Sequence, residues 1–149
     1  MDVLGNAANA GVLRYLGSGE PHTVAVERPT PDTDTWHLGA HPDVVERLWV
    51  HLNGALPQDC RILLAGGAAL AHPAMGLILA LALGTQYAIR LTGTGLAEAR
   101  RHGYATTHAF RTVNRTLDLH QAFGPGWVFG RHEPIEADWL RESYADANL

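Results

Sequence analysis

The stretch that most constrains this chain is residues 77–92. Two apolar runs, 77–83 and 86–92, flank Gly84-Thr85, and a two-residue loop with glycine first is the pattern of a type II′ hairpin turn. Such a turn fixes the register. Leu83 faces Gln86, Ala82 faces Tyr87, Leu81 faces Ala88, Ala80 faces Ile89, Leu79 faces Arg90 and Ile78 faces Leu91. One face then carries Ile78, Ala80 and Ala82 against Leu91, Ile89 and Tyr87, small residues opposite large ones, and reads as filled core. The other carries the row Leu77, Leu79, Leu81 and Leu83 against Arg90, Ala88 and Gln86. Leucines in a row do not belong in water, and arginine and glutamine do not belong in a dry core without partners. The row is therefore expected to lie under a helix with a polar edge or under a second copy of the chain, a C2 homodimer that buries the same face twice.

The remaining elements surround this ribbon. Residues 2–16 have helical spacing weakened by Gly5 and Gly11, and residues 23–26 and 35–39 read as a hairpin across a proline-rich turn. A clear helix opens at Pro42 with Asp43 in its first turn. It has Val44, Val45, Leu48, Trp49 and Leu52 on one face and an Asp43–Arg47 ion pair on the other, and Asn53-Gly54 stops it. Residues 60–65 form another apolar strand, and 66–76 read as a loop. A helix follows over 96–102. Residues 105–123 fit either an extended or a partly helical conformation, and 127–129 read as a strand. A last helix starts at Pro134 with Ile135, Trp139, Leu140 and Tyr144 on its apolar face, and its tail frays from Ala145. Trp36, Trp49, Trp127 and Trp139 all read as core. Over about two-thirds of the chain, the order helix, two strands, helix, three strands, helix resembles the roadblock and profilin-like sheet architectures. The resemblance is one of element order and concerns fold alone. The expected class is α+β: one domain of 149 residues, with an antiparallel sheet of about five or six strands and helices packed on it.

Composition excludes chemistry more firmly than it suggests any. All eleven basic residues are arginine, so there is no Schiff-base lysine and no phosphate-loop lysine. Only Ser18 and Ser143 are serines, and both fall near element ends, away from any nucleophile motif. The lysine gap, with abundant Ala, Gly, Leu and Arg, is the bacterial-like composition of a GC-rich genome. A lone cysteine, Cys60, fits a reducing compartment, and no apolar stretch is long enough to span a membrane, so the chain is expected to be soluble and cytoplasmic. The net charge of −4 is unevenly spread. Residues 1–59 carry eight acids against three arginines, residues 60–130 two against six, and residues 131–149 five against two.

No motif names a reaction, but several constellations can be placed. Arg100, Arg101, Arg111 and Arg115, with His102, His108, Tyr104 and Phe110 among them, form an acid-free segment suited to phosphate or nucleic-acid recognition. An acidic chain argues against nucleic acid. Asp118 and His120 share a face if extended, and with His132 they make a candidate metal or acid–base group. His37 and His41 lie four apart but not on one helix, and read as structural. Cys60 with His72 is a candidate nucleophile and base. A thiol at the head of an apolar strand, beside Asp59, instead reads as inert. Gly66-Gly67 lacks the lysine and the following helix of a phosphate loop. The expected function is a small, non-catalytic, self-associating binding protein without a cofactor. The alternatives are a phosphate or nucleic-acid binder through residues 100–115 and a metal- or cysteine-dependent enzyme.

Overall fold

A computed structural model describes residues 1–33, 38–110 and 115–147. The readings made above for Trp36, His37 and Arg111 lie outside the described residues. The core of the fold is a six-stranded antiparallel meander: β1 (Val26–Glu27), β2 (Arg61–Leu64), β3 (Gly67–Ala71), β4 (Ile78–Leu83), β5 (Gln86–Arg90) and, beyond β5, β8 (Trp127–Phe129). A separate hairpin joins β6 (Thr107–Phe110) to β7 (Arg115–Asp118). The helices are α1 (Ala10–Leu16), α2 (Pro42–Glu46), α3 (Gly93–Arg101), α4 (Leu119–Ala122) and α5 (Ile135–Asp146). The chain is an α+β protein.

Both faces of the sheet are covered. On one, Val45, Leu48 and Leu52 from α2 and its continuation, with Trp139 and Leu140 from α5, meet Leu70, Ala80, Tyr87 and Ile89. On the other, Val12 and Leu13 of α1, Leu117 of β7 and Leu119 and Phe123 around α4 meet Ile62, Ala69, Leu81, Ala88 and Phe129. Double coverage explains β3, which lies within the expected loop 66–76. Its run Gly67-Ala68-Ala69-Leu70-Ala71 has neither alternation nor β-branched residues, yet residues 68–71 are fully buried. A strand enclosed on both sides has no polar face to alternate with, and alanine leaves room for helices to approach. Between β2 and β3 the chain turns at Ala65-Gly66, both at positive φ (49° and 79°), as a type I′ hairpin requires.

The β4–β5 turn has the expected form, with Gly84 at φ 64° and the register Ala80↔Ile89, Leu81↔Ala88, Ala82↔Tyr87, Leu83↔Gln86. The leucine row does not survive as one face. Leu70 pairs with Ala80 but Ala71 pairs with Ile78, so Leu79 is the extra residue of a β-bulge. The bulge switches sides: Leu77 and Leu79 join Ala80 and Ala82 under the α2–α5 layer, whereas Ile78 joins Leu81 and Leu83 on the opposite face. Leu77, Leu79 and Leu81 are 7%, 0% and 1% exposed and Leu83 is half-buried, all within a single copy of the chain. The observation from which self-association through these leucines was expected is therefore corrected: the row is core.

Other boundaries shift for local reasons. The first helix is shorter than 2–16, beginning at Ala10 after a 3-10 turn over Ala7–Asn9. Gly11 marks where α1 meets the end of α4, since a Cβ there would lie 2.6 Å from the Phe123 carbonyl oxygen. Strand β1 pairs with β2 (Val26↔Leu64), the expected strand over 35–39 lies outside the described residues at 35–37, and four strands, not three, separate α2 from α3. Residues 107–118 are extended apart from 111–114, which are not described, and 119–122 are helical, so each reading of 105–123 holds for part of it. Helix α3 starts at Gly93, three residues earlier than expected, and α5 includes Ala145 and Asp146. Among the described residues no helix is long and apolar enough to cross a membrane.

Candidate ligand-binding site

The meander places the β2–β3 turn (Ala65-Gly66) and the β4–β5 turn (Gly84-Thr85) at the same end of the sheet. A cavity of about 580 Å³ lies there, within the usual range for small-molecule sites. Its walls are aliphatic: Leu64 from β2, Leu81 and Leu83 from β4, Leu16 from α1, and Leu38. Gly66, Gly67 and Gly84 line its rim, where absent side chains leave the mouth open. The polar exceptions among the lining side chains are Tyr15 and Arg115. The Arg115 guanidinium lies over the Tyr15 ring, 5.2 Å from its centroid, and Tyr15 is braced edge-on by Phe123 at 5.4 Å. Among the described residues no carboxylate is within ion-pair distance of Arg115.

Among the described residues of the arginine segment, Arg115 alone lines this cavity. Arg100 and Arg101 are exposed on the last turn of α3, which packs with α5 across the sheet, and Arg101 pairs with Glu98 at 3.9 Å. The acids of α5 do not answer those arginines. Glu142 instead caps the start of α3, accepting from Thr94 Oγ1 at 2.5 Å and from the Gly95 amide at 3.2 Å, and these bonds hold its carboxyl below the usual range. Asp146 accepts from Thr92 Oγ1 in the same way.

A second polar concentration is buried around Glu136. Glu136 is 0% exposed, and it accepts from the Tyr87 hydroxyl, from the Tyr104 hydroxyl at 2.7 Å and from the Arg131 amide at 2.8 Å. Tyr104 also lies 3.2 Å from Glu133, but it has one proton to give and the shorter contact takes it. Burial, and then the adjoining Glu136, push both tyrosine hydroxyls well above their usual range. Arg47 approaches Glu136 at 3.9 Å and donates to the Glu133 carbonyl at 2.7 Å. It therefore turns inward instead of forming the expected surface pair with Asp43. Gly130 closes the cluster, since a Cβ there would meet the Tyr87 ring at 1.8 Å. Sequence reasoning missed this group, although one signal existed: Glu136 lies three and four residues before Trp139 and Leu140, on the apolar side of α5. Ile135, assigned to that side, is 40% exposed.

Beside the cluster a cavity of about 220 Å³ is lined by Asp43, Glu46, Arg47, His51 and His132. After α2 the helix continues with π geometry over Arg47–Leu52, which turns residues five apart onto one side and brings His51 Nε2 within 3.6 Å of Glu46. Asp43 lies 3.7 Å from His41, whose Nδ1 caps the helix. Glu46 faces His51 and Arg47 faces Glu136, while the buried Arg47 Nε has no hydrogen-bond partner.

The proposed acid–base and metal trio is not assembled. Asp118 caps α4, accepting from the His120 and Gln121 amides, on the side of the sheet away from α2. His132, at φ 61°, packs edge-on to Tyr87 on the α2 side, and its backbone N–H donates to the Tyr87 hydroxyl at 2.7 Å. Among the described residues no group of three or more potential ligands is placed to hold a metal ion. The Cys60–His72 pair fails on protonation. Burial, with Asp59 adding to it, pushes the thiol up to about 12, and His72 Nδ1 already accepts from the Ala74 and Met75 amides. The proton of the neutral ring therefore sits on Nε2, leaving no lone pair to serve as base.

Comparison with protein-family models, with curated proteins and with solved structures yields no match for this chain.

Proposed function

We propose that this chain is a non-catalytic binding protein whose ligand is a small apolar molecule held in the cavity between the two hairpin turns. The observation that carries this reading is the cavity itself: about 580 Å³ walled by Leu16, Leu38, Leu64, Leu81 and Leu83. The candidate catalytic groups argue the same way, because Cys60 lacks a base and Glu136 has its oxygens engaged. Self-association is not part of the proposal, since the leucines that motivated it are core. A cytoplasmic location is part of it and rests on the single cysteine.

The test uses the neutral dye N-phenylnaphthylamine, whose fluorescence rises in apolar surroundings. Saturable one-to-one binding is expected. Leu83→Trp, which fills the cavity from a half-buried wall position, should weaken binding by about tenfold or more, about 1.4 kcal/mol. Absence of saturable binding, or binding indifferent to Leu83→Trp in a variant that still folds, would overturn the proposal.

A further inference from the structure

Resting on that reading of the cavity, we propose that its ligand is a monoanionic amphiphile, an apolar carboxylic acid whose head group sits on Arg115. Three features of the site lead to this class. The walls offer aliphatic carbon and no other charged side chain, so the ligand's body is hydrocarbon. The one cation on the lining is solvent-exposed, and its guanidinium lies over the face of Tyr15, whose ring meets Phe123 edge-on. That cation also lacks an acid among the described residues. A guanidinium presents a planar fork that matches one carboxylate in two parallel hydrogen bonds, and one positive charge balances one negative charge. A phosphate monoester, with nearly two charges, would need further cations. The nearest in sequence among the described residues, Arg100 and Arg101, are on α3 with the opposite layer.

The arrangement also accounts for the placement of Tyr15. On an apolar helix face its ring both walls the cavity and supports the head-group partner, so the first helix and the β6–β7 hairpin meet at the point where the ligand's charge would rest. Fatty acids of medium chain length fit this description, with the tail directed along Leu64 and Leu81 into the space under the turns.

Competition against bound N-phenylnaphthylamine, with decanoate and decanol as displacing ligands, tests the assignment. Decanoate is expected to displace the dye with about five- to tenfold higher affinity than decanol at low salt, the preference shrinking as ionic strength rises. In Arg115→Gln the two ligands should compete equally, while decanol is unaffected. Equal competition in the unaltered chain, or a decanoate preference that persists in Arg115→Gln, overturns the head-group assignment and leaves the cavity standing. If the dye binds and neither ligand displaces it, the amphiphile class is wrong. If the dye itself does not bind, the cavity reading falls first.

Discussion

Glu136 shows how much a single buried carboxylate can hold. Its oxygens join β5 through Tyr87, the segment after α3 through Tyr104 and the loop before α5 through the Arg131 amide, with Arg47 nearby. Removing it would strand two hydroxyls, one amide and a partly buried guanidinium. Glu136→Ala is therefore expected to destabilise the fold by about 3–5 kcal/mol, read as a lowered urea midpoint. A change below about 1 kcal/mol would show that the cluster is not a structural clamp. His72 makes a second prediction at this scale. It is 2% exposed, its ring stacks on Tyr144 at 4.5 Å, and burial lowers its pKa. The unfolded chain takes up a proton near the ordinary histidine value of about 6.5, before the folded chain does. The contribution of His72 is thus complete above that pH and declines as pH falls through the folded value. Urea midpoints measured from neutral pH to about 5 should fall, and His72→Gln should flatten that slope. An identical slope in both proteins would remove His72 as its cause.

At the scale of elements, the β4 bulge decides how much the sequence could reveal. Turn chemistry at Gly84-Thr85 set the β4–β5 pairing correctly because that information is local. The bulge at Leu79 arises from pairing with β3, a strand that carries no alternation and so could not be read as one. One extra residue then moved half of the leucine row to the other face. Leu79→Glu tests this directly: the row as core predicts loss of the folded circular dichroism signal, since a carboxylate with no partner would enter a fully buried position. A folded variant with altered oligomeric state would restore the interface reading. The same limit explains the helix after Glu46. Its apolar spacing and caps announced a helix, but neither the π geometry that pairs Glu46 with His51 nor the turn of Arg47 toward Glu136, 89 residues away in sequence, has a local signal. Arg115 was legible only as one of a cluster of arginines, and nothing local distinguishes it from Arg100 or Arg101.

For the molecule as a whole, the pattern is a sheet enclosed on both sides, with an aliphatic cavity at the end that carries its turns. The helical layers and the core had their signals in periodicity and caps. The cavity had none, because it is made by residues from α1, β2, β4 and β7 that meet only when the sheet is complete. Its charge is equally non-local, a single arginine placed on a tyrosine from a distant helix. The most direct measurement of the central claim is NMR amide chemical-shift mapping during a decanoate titration. The account predicts saturable shifts concentrated at residues 15–16, 64–67, 81–84 and 115, with the amides around Glu136 and His132 unmoved. Shifts centred on Glu46, His51 and His132, or no saturable shifts at all, would contradict it.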